Sequence, residues 1–191
     1  MENVRGVVLT SFDYLDTKKI LRVYTREQGK LTFIMHQKKG TSLPPPPLSE
    51  AEFIFGVSRG AFYTIKDFSL INSRLHLRNT FPLLKGAGEL LQILLHSQLD
   101  EKPAPLLYDL LISYLDHLPL SPNPSLLIAS FKLKLLNHEG VLSSSPFDPY
   151  KEEEWDILMK VTHLRSYQSL YQLTQTDSLI ALADHLFTSL L

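Results

Sequence analysis

The residues best suited to chemistry in this 191-residue sequence are basic, and they lie close to its start. Eight lysines and arginines fall within the first 39 positions, with Phe12, Tyr14, Tyr24 and Phe33 between them. Lysine and arginine neutralise phosphates, and aromatic rings stack on bases without reading their sequence. The pattern suits binding to single-stranded nucleic acid, and an ordinary solvated surface would show the same pattern. The candidate residues are Arg5, Lys18, Lys19, Arg22, Arg26, Lys30, His36, Lys38 and Lys39.

The charge of the chain is divided unevenly between its two parts. The formal net charge is −1 overall. Residues 1–80 hold 12 Lys and Arg against 7 Asp and Glu, a balance of +5, whereas residues 81–191 hold 7 against 13, a balance of −6. This asymmetry indicates two surfaces with different partners, although chance segregation of charges would give the same numbers.

Catalytic and metal-binding patterns are missing from the sequence. The seven histidines are dispersed, and none pairs with another at the spacing of metal ligands. Residues 84–89 lack the full glycine spacing of a phosphate-binding loop, and Ser143–Ser145 lack the context of a serine nucleophile. There is no cysteine, which excludes disulfides, cysteine nucleophiles and thiolate zinc sites. We therefore expect a binding protein without a cofactor or metal rather than an enzyme.

Five short segments must position the basic residues, and all five are typical of strands. They are rich in Val, Ile, Phe, Tyr and Thr and are separated by turn residues; they span 4–10, 19–25, 30–36, 51–57 and 61–68. This pattern predicts a small barrel, either a five-stranded OB-fold or an SH3-like barrel of similar size. His36, Lys38 and Lys39 would then lie at the end of the third strand, before the proline run 44–47.

From about residue 79 the hydrophobic period changes to that of helices. The sequence predicts helices at 80–99, 105–118 and 124–138, with Asn123 as an N-cap and Gly140 as a C-terminal stop. It predicts two more helices, one capped by Asp148 and one at 177–190. No apolar run is long enough for a membrane span, and no signal peptide is visible, so we expect a cytoplasmic protein without a membrane partner.

Three stretches resemble the bacterial recombination mediator family RecO. GVVLTSFDYLDTKKILRVYTREQGKL (6–31) is similar to the opening strand, loop and hairpin of the family. RGAFYTIKDF (59–68) is similar to the end of its barrel, and ASFKLKLLNHEGVL (129–142) to a helix that ends in a glycine turn. The resemblance implies an α+β chain, with an OB-fold DNA-binding domain at 1–78 and an all-α helical domain at 79–191.

The resemblance also implies what the chain does and which residues do it. It implies binding to single- and double-stranded DNA, annealing of complementary strands, and loading of recombinase onto DNA coated by single-strand-binding protein, together with the partner RecR. Lys19 falls at the family's basic position in the first inter-strand loop, and His36 and Lys39 fall at its basic tip. An alternative is an interaction scaffold that has lost DNA binding and retains a helical docking surface.

Two departures from the family qualify this expectation. The family commonly carries a four-cysteine zinc site after the glycine-terminated helix, whereas VLSSSPFDPYKEEEWD (141–156) contains no cysteine. We expect Phe147, Tyr150 and Trp155 to hold this loop by packing instead. The basic tip is also diluted by the proline run, which predicts weaker DNA binding.

The rear half must supply any docking surface for the tail of single-strand-binding protein. Such tails are acidic and apolar and end in phenylalanine, and the resemblance implies that the tail docks on the helical domain. The helix 124–138 is our predicted site, because Phe131 and its leucines could form an apolar wall beside Lys132 or Lys134. The alternative is that both lysines only make a core helix soluble.

Overall fold

The computed structural model of the chain describes residues 1–36, 43–57, 62–142, 152–174 and 176–190. The chain forms two compact units, Met1–Ile112 and Ser113–Leu191. The first unit contains the barrel, and the described part of the second unit is helical.

Five strands form the first part of the barrel unit. They are β1 (Glu2–Asp13), β2 (Lys18–Thr25), β3 (Gly29–His36), β4 (Glu50–Val57) and β5 (Tyr63–Asn72). Their β-branched and aromatic residues suit a pleated sheet with one buried face. The strands coincide with the five predicted segments, with ends that differ by a few residues.

The strands close into a barrel in the order β1-β2-β3-β5-β4. β1 pairs antiparallel with both β2 and β4, and β3 pairs parallel with β5 at Phe33 and Tyr63. This Greek-key order is that of the OB-fold. The predicted fold class, an OB barrel followed by helices, is therefore confirmed.

Inward-facing residues of all five strands fill the barrel. The ring of Phe33 lies at the centre, stacked on Phe53 at 5.5 Å and edge-on to Phe55 at 5.1 Å between ring centroids. Aromatic pairs in these geometries stabilise a core beyond the area that they bury. The other buried core residues are Val4, Val8, Leu21, Val23, Leu31, Met35, Ala51 and Ile65.

Six α-helices follow the barrel in the part of the chain that the structure describes. They are α1 (Phe81–Ser97), α2 (Pro105–His117), α3 (Pro124–His138), α4 (Glu152–His163), α5 (Tyr167–Tyr171) and α6 (Thr176–Leu190). The Asn123 side chain accepts a hydrogen bond from the Leu126 N–H at 3.1 Å and caps α3, as predicted. Gly140 follows α3 at φ 72°. The predicted cap Asp148 lies outside the described residues, as do Phe147 and Tyr150, whereas Trp155 is buried.

The two compact units are not the two predicted domains. α1 and the first part of α2 belong to the unit Met1–Ile112 together with the barrel. The strand-to-helix change does occur near residue 79, but the domain boundary at 78/79 stays a prediction.

Candidate nucleic-acid interface

The outer face of β2 and β3 presents three of the predicted basic residues. Successive side chains of a strand point to opposite faces of the sheet. Because Leu21 and Val23 belong to the barrel core, Lys18 and Arg22 point outward. The same alternation directs His36 of β3 outward, and the register places it opposite Lys18. Lys18, Arg22 and His36 therefore share one face.

This face continues onto β1, where it carries exposed aromatic rings. Phe12 is paired with Ile20 of β2, between the levels of Lys18 and Arg22. The Tyr14 N–H donates to the Lys18 carbonyl over 2.8 Å and closes the turn between β1 and β2. Phe12 is 43% exposed and Tyr14 is 42% exposed. In OB-folds this face and the β1–β2 loop commonly bind oligonucleotides.

Two other aromatic residues that the sequence places among the cations are internal. Tyr24 is fully buried, and its ring lies 6.3 Å from that of Tyr108 in α2. Phe33 is fully buried at the centre of the barrel. Neither ring can stack on a base, so we leave both out of the interface.

The basic residues of β2 and the end of β3 differ in whether an acidic side chain is already paired with them. The side chains of Lys18, Arg22 and His36 form no hydrogen bond or ion pair with any residue that the structure describes. Lys19 lies on the opposite face of β2 and pairs with Asp13 at 3.2 Å between Nζ and Oδ1. An unpaired cation gains more from a phosphate than a paired one, so Lys18 is the stronger candidate of the two.

Arg5 and Arg26 each have a carboxylate partner. The Arg5 Nε donates to the Glu50 carboxylate at 2.6 Å. Arg26, in the β2–β3 turn, binds both oxygens of Asp109 at 2.9 and 3.0 Å, a bidentate pair. The hydrogen bond and charge of Arg26 lower the pKa of Asp109. DNA would have to compete with these pairs, so we leave both arginines out of the interface.

Lys30 is internal as well. Its side chain is 11% exposed, and its Nζ donates to the Leu95 carbonyl at 2.9 Å. The Asp100 carboxylate lies 3.3 Å from the same nitrogen. Lys30 thus connects β3 to the end of α1, and the structure gives it no access to a phosphate.

The basic tip after β3 can be described only at its return to the barrel. Lys38 and Lys39 lie in 37–42, outside the described residues. Past the prolines, the Leu48 N–H donates to the Val8 carbonyl at 2.9 Å, and Leu48 is buried at φ 75°. A leucine in the left-handed region carries a backbone cost, which its burial offsets. The end of the proline segment is therefore fixed to β1.

The residues of the predicted tail-docking helix are used inside the helical unit. Phe131 is fully buried, with its ring 5.2 Å from that of Tyr114. Lys132 is 8% exposed, and its Nζ donates to Asp184 of α6 at 2.8 Å. A partner cannot reach Phe131 in this fold, and Lys132 already has a carboxylate.

Lys134 has a structural partner of another kind. Its Nζ donates to the Thr162 carbonyl at 3.3 Å and also to the Leu164 carbonyl. A cation at these carbonyls stabilises the C-terminal end of α4, where the helix dipole is negative. Burial lowers the pKa of Lys134. For these reasons we place the docking surface elsewhere.

Metal and membrane features can be judged only for the described residues. Within them, no group of three or more His, Asp or Glu side chains could hold a metal ion. In the same part of the chain, no helix is long and apolar enough to cross a membrane.

The barrel also matches a known family. The family described as Recombination protein O N terminal matches residues 1–74, which include all five strands. The barrel at residues 1–74 belongs to the RecO family. The resemblance noted in the sequence is thereby confirmed.

Several curated RecO proteins are similar to the chain over most of its length. The DNA repair protein RecO of Chlamydia pneumoniae is 31% identical over 149 residues, 75% of this chain and 58% of that protein. The RecO of Chlamydia trachomatis serovar D is 33% identical over 146 residues, 73% of this chain and 59% of that protein. The RecO of Bacillus pumilus is 26% identical over 140 residues. The chain thus spans less than two thirds of the length of these three relatives.

Leu15 belongs to the candidate interface but is not among the residues predicted from the sequence. Leu15 lies at the tip of the β1–β2 turn, 67% exposed and at φ 58°. A large apolar residue within a polar turn is the signal that could have identified it.

Proposed function

We propose that this chain is a DNA repair and recombination mediator that binds DNA on the outer face of β1, β2 and β3. One observation carries the proposal. Three basic residues without a described partner, Lys18, Arg22 and His36, share one face with the exposed rings Phe12 and Tyr14. On an OB-fold this is the face that commonly receives nucleic acid. The chain acts by binding rather than by catalysis.

The physical basis of this binding is counterion release. Each phosphate neutralised by a cation of the protein releases condensed counterions, so the affinity falls as salt rises. Lys18 and Arg22 are four residues apart on one strand face, about 13 Å at the usual rise per residue. They can therefore hold different phosphates of the same strand, with the Phe12 ring at the level between them.

The test is charge reversal followed over a range of salt concentrations. In Lys18→Glu/Arg22→Glu, the slope of log affinity for single-stranded DNA against log salt should become shallower by about 0.7 for each phosphate that is no longer neutralised. Lys19→Glu should weaken binding less than Lys18→Glu, because Asp13 already neutralises Lys19. Lys85→Glu, in α1, is the control for a general change of charge. Equal weakening in Lys85→Glu and Lys18→Glu would argue against a defined interface.

The later steps of the proposed function depend on protein partners. Binding two complementary strands would let the chain anneal them, and with RecR it would help recombinase to replace single-strand-binding protein. These activities belong to our proposal because the chain spans only part of its relatives. They predict that the double variant also fails to anneal complementary oligonucleotides.

We place docking of the acidic tail on the first turns of α1. Phe81 is 76% exposed and Leu84 is 44% exposed, and Lys85 follows on the same face of the helix. An apolar surface beside a cation suits a peptide that ends in phenylalanine and a carboxylate.

The docking surface can be tested with the tail peptide alone. Lys85→Glu should weaken peptide binding by about 1–2 kcal/mol, the value of a charge-assisted contact. Lys160→Glu, an exposed cation on α4, is the matched control. Titration should also show full peptide binding by Lys18→Glu/Arg22→Glu. Unchanged peptide binding by Lys85→Glu would remove α1 as the docking surface.

The same exposed surface of α1 favours an alternative function. A scaffold that has lost DNA binding would keep Phe81 and Leu84 for apolar docking and use the barrel only as a support. Apolar docking has little salt dependence, whereas phosphate contacts have a steep one. The salt series therefore separates the two functions.

A further inference from the structure

The β1–β2 turn combines three exposed apolar side chains with backbone strain. Phe12, Tyr14 and Leu15 are all more than 40% exposed. By contrast, the rings of Phe33, Phe53 and Phe55 in the same barrel are completely buried. We name Phe12, Tyr14 and Leu15 the turn cluster. Unlike the core rings, these side chains are not enclosed by the packing of the barrel.

Leu15 is the least expected member of the turn cluster. Its φ of 58° lies in the left-handed region, which is costly for a residue with a branched side chain. At Leu48 a similar strain accompanies burial in the barrel, but Leu15 remains 67% exposed. Strain that no internal packing offsets is typical of sites that meet a ligand.

The surroundings of the turn cluster identify the chemistry of that ligand. Lys18 and His36 lie beside the turn, and Arg22 lies further along β2 on the same face. Flat apolar groups with cations at their edge match a base attached to a phosphate. In a duplex the faces of the bases are covered by their neighbours, and exposing one costs a few kcal/mol for each step that is unstacked. Unpaired bases are already available.

We infer that the turn cluster makes the interface selective for unpaired nucleotides over duplex. Phe12 and Tyr14 stack on bases of a single strand, and Leu15 covers the edge of the stack. The cations alone would hold either form of DNA, because phosphates are common to both. This inference rests on the proposed function and assigns the single-strand preference to residues that carry no charge.

The test compares a mixed-sequence single strand with the blunt duplex of the same sequence. Phe12→Leu/Tyr14→Leu keeps apolar bulk at both positions but removes both flat rings. Single-strand affinity should fall about tenfold or more, from the usual value of base–aromatic stacking. Duplex affinity and the salt slope should stay unchanged, because every cation that meets a phosphate is still present.

A second variant guards against a change in folding. Leu15→Asn keeps a residue that tolerates the left-handed region and removes the apolar tip. It should lower the ratio of single-strand to duplex affinity without lowering the melting temperature. If both variants keep the wild-type ratio of single-strand to duplex affinity, the inference is overturned. It is also overturned if either variant sediments differently from the wild type without DNA, because the turn cluster would then bind a second copy of the chain.

Failure of the inference is distinguishable from failure of the proposed function. Suppose that Lys18→Glu/Arg22→Glu binds both forms of DNA more weakly, whereas the turn cluster variants keep the wild-type ratio of single-strand to duplex affinity. Only the role assigned to the turn cluster is then overturned. If the charge variant binds DNA like the wild type, the interface itself is misplaced.

Discussion

Replacing Glu50 by alanine should lower the free energy of unfolding of the barrel unit by about 3–5 kcal/mol, the usual result of breaking a buried ion pair. The carboxylate of Glu50 accepts hydrogen bonds from Arg5 at 2.6 Å, Arg74 at 2.9 Å and the Tyr108 hydroxyl at 3.0 Å. Arg74 is 1% exposed, so without Glu50 its buried charge would lose the carboxylate that it contacts.

Glu50 also connects the parts of the barrel unit that lead to the interface. It is the first residue of β4, two residues after Leu48 at the buried end of the proline segment. Through Arg5 it holds β1, and through Tyr108 it holds α2. Its removal should therefore also loosen the return of the basic tip to the barrel.

Hydrogen exchange of the whole chain, followed by mass spectrometry, measures the destabilisation caused by Glu50→Ala within the barrel unit. The single tryptophan, Trp155, lies in the helical unit, so its fluorescence would miss unfolding confined to the barrel. Asp109→Asn is the control, because it removes a carboxylate from an exposed pair and should have a small effect. If the barrel amides of Glu50→Ala exchange no faster than those of Asp109→Asn, the buried ion pair does not have the proposed role.

The same carboxylate should make barrel stability depend on pH in the acid range. Burial raises the pKa of Glu50, but the hydrogen bonds from Arg5 and Arg74 outweigh it, and the net pKa lies below the ordinary 4.5. A lowered carboxylate pKa contributes stability above the unfolded-state value, and this contribution disappears as the pH falls through the folded-state value. Glu50→Gln should therefore flatten the decline in stability below about pH 4.5.

Local sequence patterns predict which segments of this chain are strands and which are helices, but they do not predict which strands pair. The change from strand to helix is visible because the hydrophobic period changes near residue 79. The choice between an OB-fold and an SH3-like barrel depends on which distant strands meet. The parallel pairing of Phe33 with Tyr63 decides it, and nothing in either strand alone encodes that contact.

The interface was predictable to the extent that strand alternation determines it. Lys18 and Lys19 are neighbours in sequence, yet alternation places them on opposite faces, and this could have been derived from β2 alone. The pairing of Arg5 and Arg26 could not, since their carboxylate partners are 45 and 83 positions away along the chain. Charge counts along a sequence therefore overestimate the basic surface wherever distant acids neutralise it.

Replacing Gly29 by alanine should destabilise the barrel unit by at least about 2–4 kcal/mol, the sum of a left-handed backbone and an overpacked contact. Gly29 begins β3 at φ 73°, and a Cβ there would overlap the backbone of Lys102. Backbone atoms cannot rotate away as a side chain can. The Glu101 N–H donates to the Lys30 carbonyl at 3.0 Å in the same place, so the two segments are held together.

Two other glycines separate the causes of this destabilisation. Gly140 has φ 72° with no atom within 4 Å of an added Cβ, so Gly140→Ala carries the backbone cost alone. Gly88 lies within α1 with the same free space, and Gly88→Ala should stabilise the chain by about 0.5–1 kcal/mol. Chemical denaturation of all three variants, followed by hydrogen exchange in each unit, ranks their changes in the free energy of unfolding. Gly29→Ala should be destabilised more than Gly140→Ala, because of these two residues only Gly29 lies against a second backbone segment. Equal destabilisation of the two variants would mean that the contact with Lys102 does not fix the β2–β3 turn.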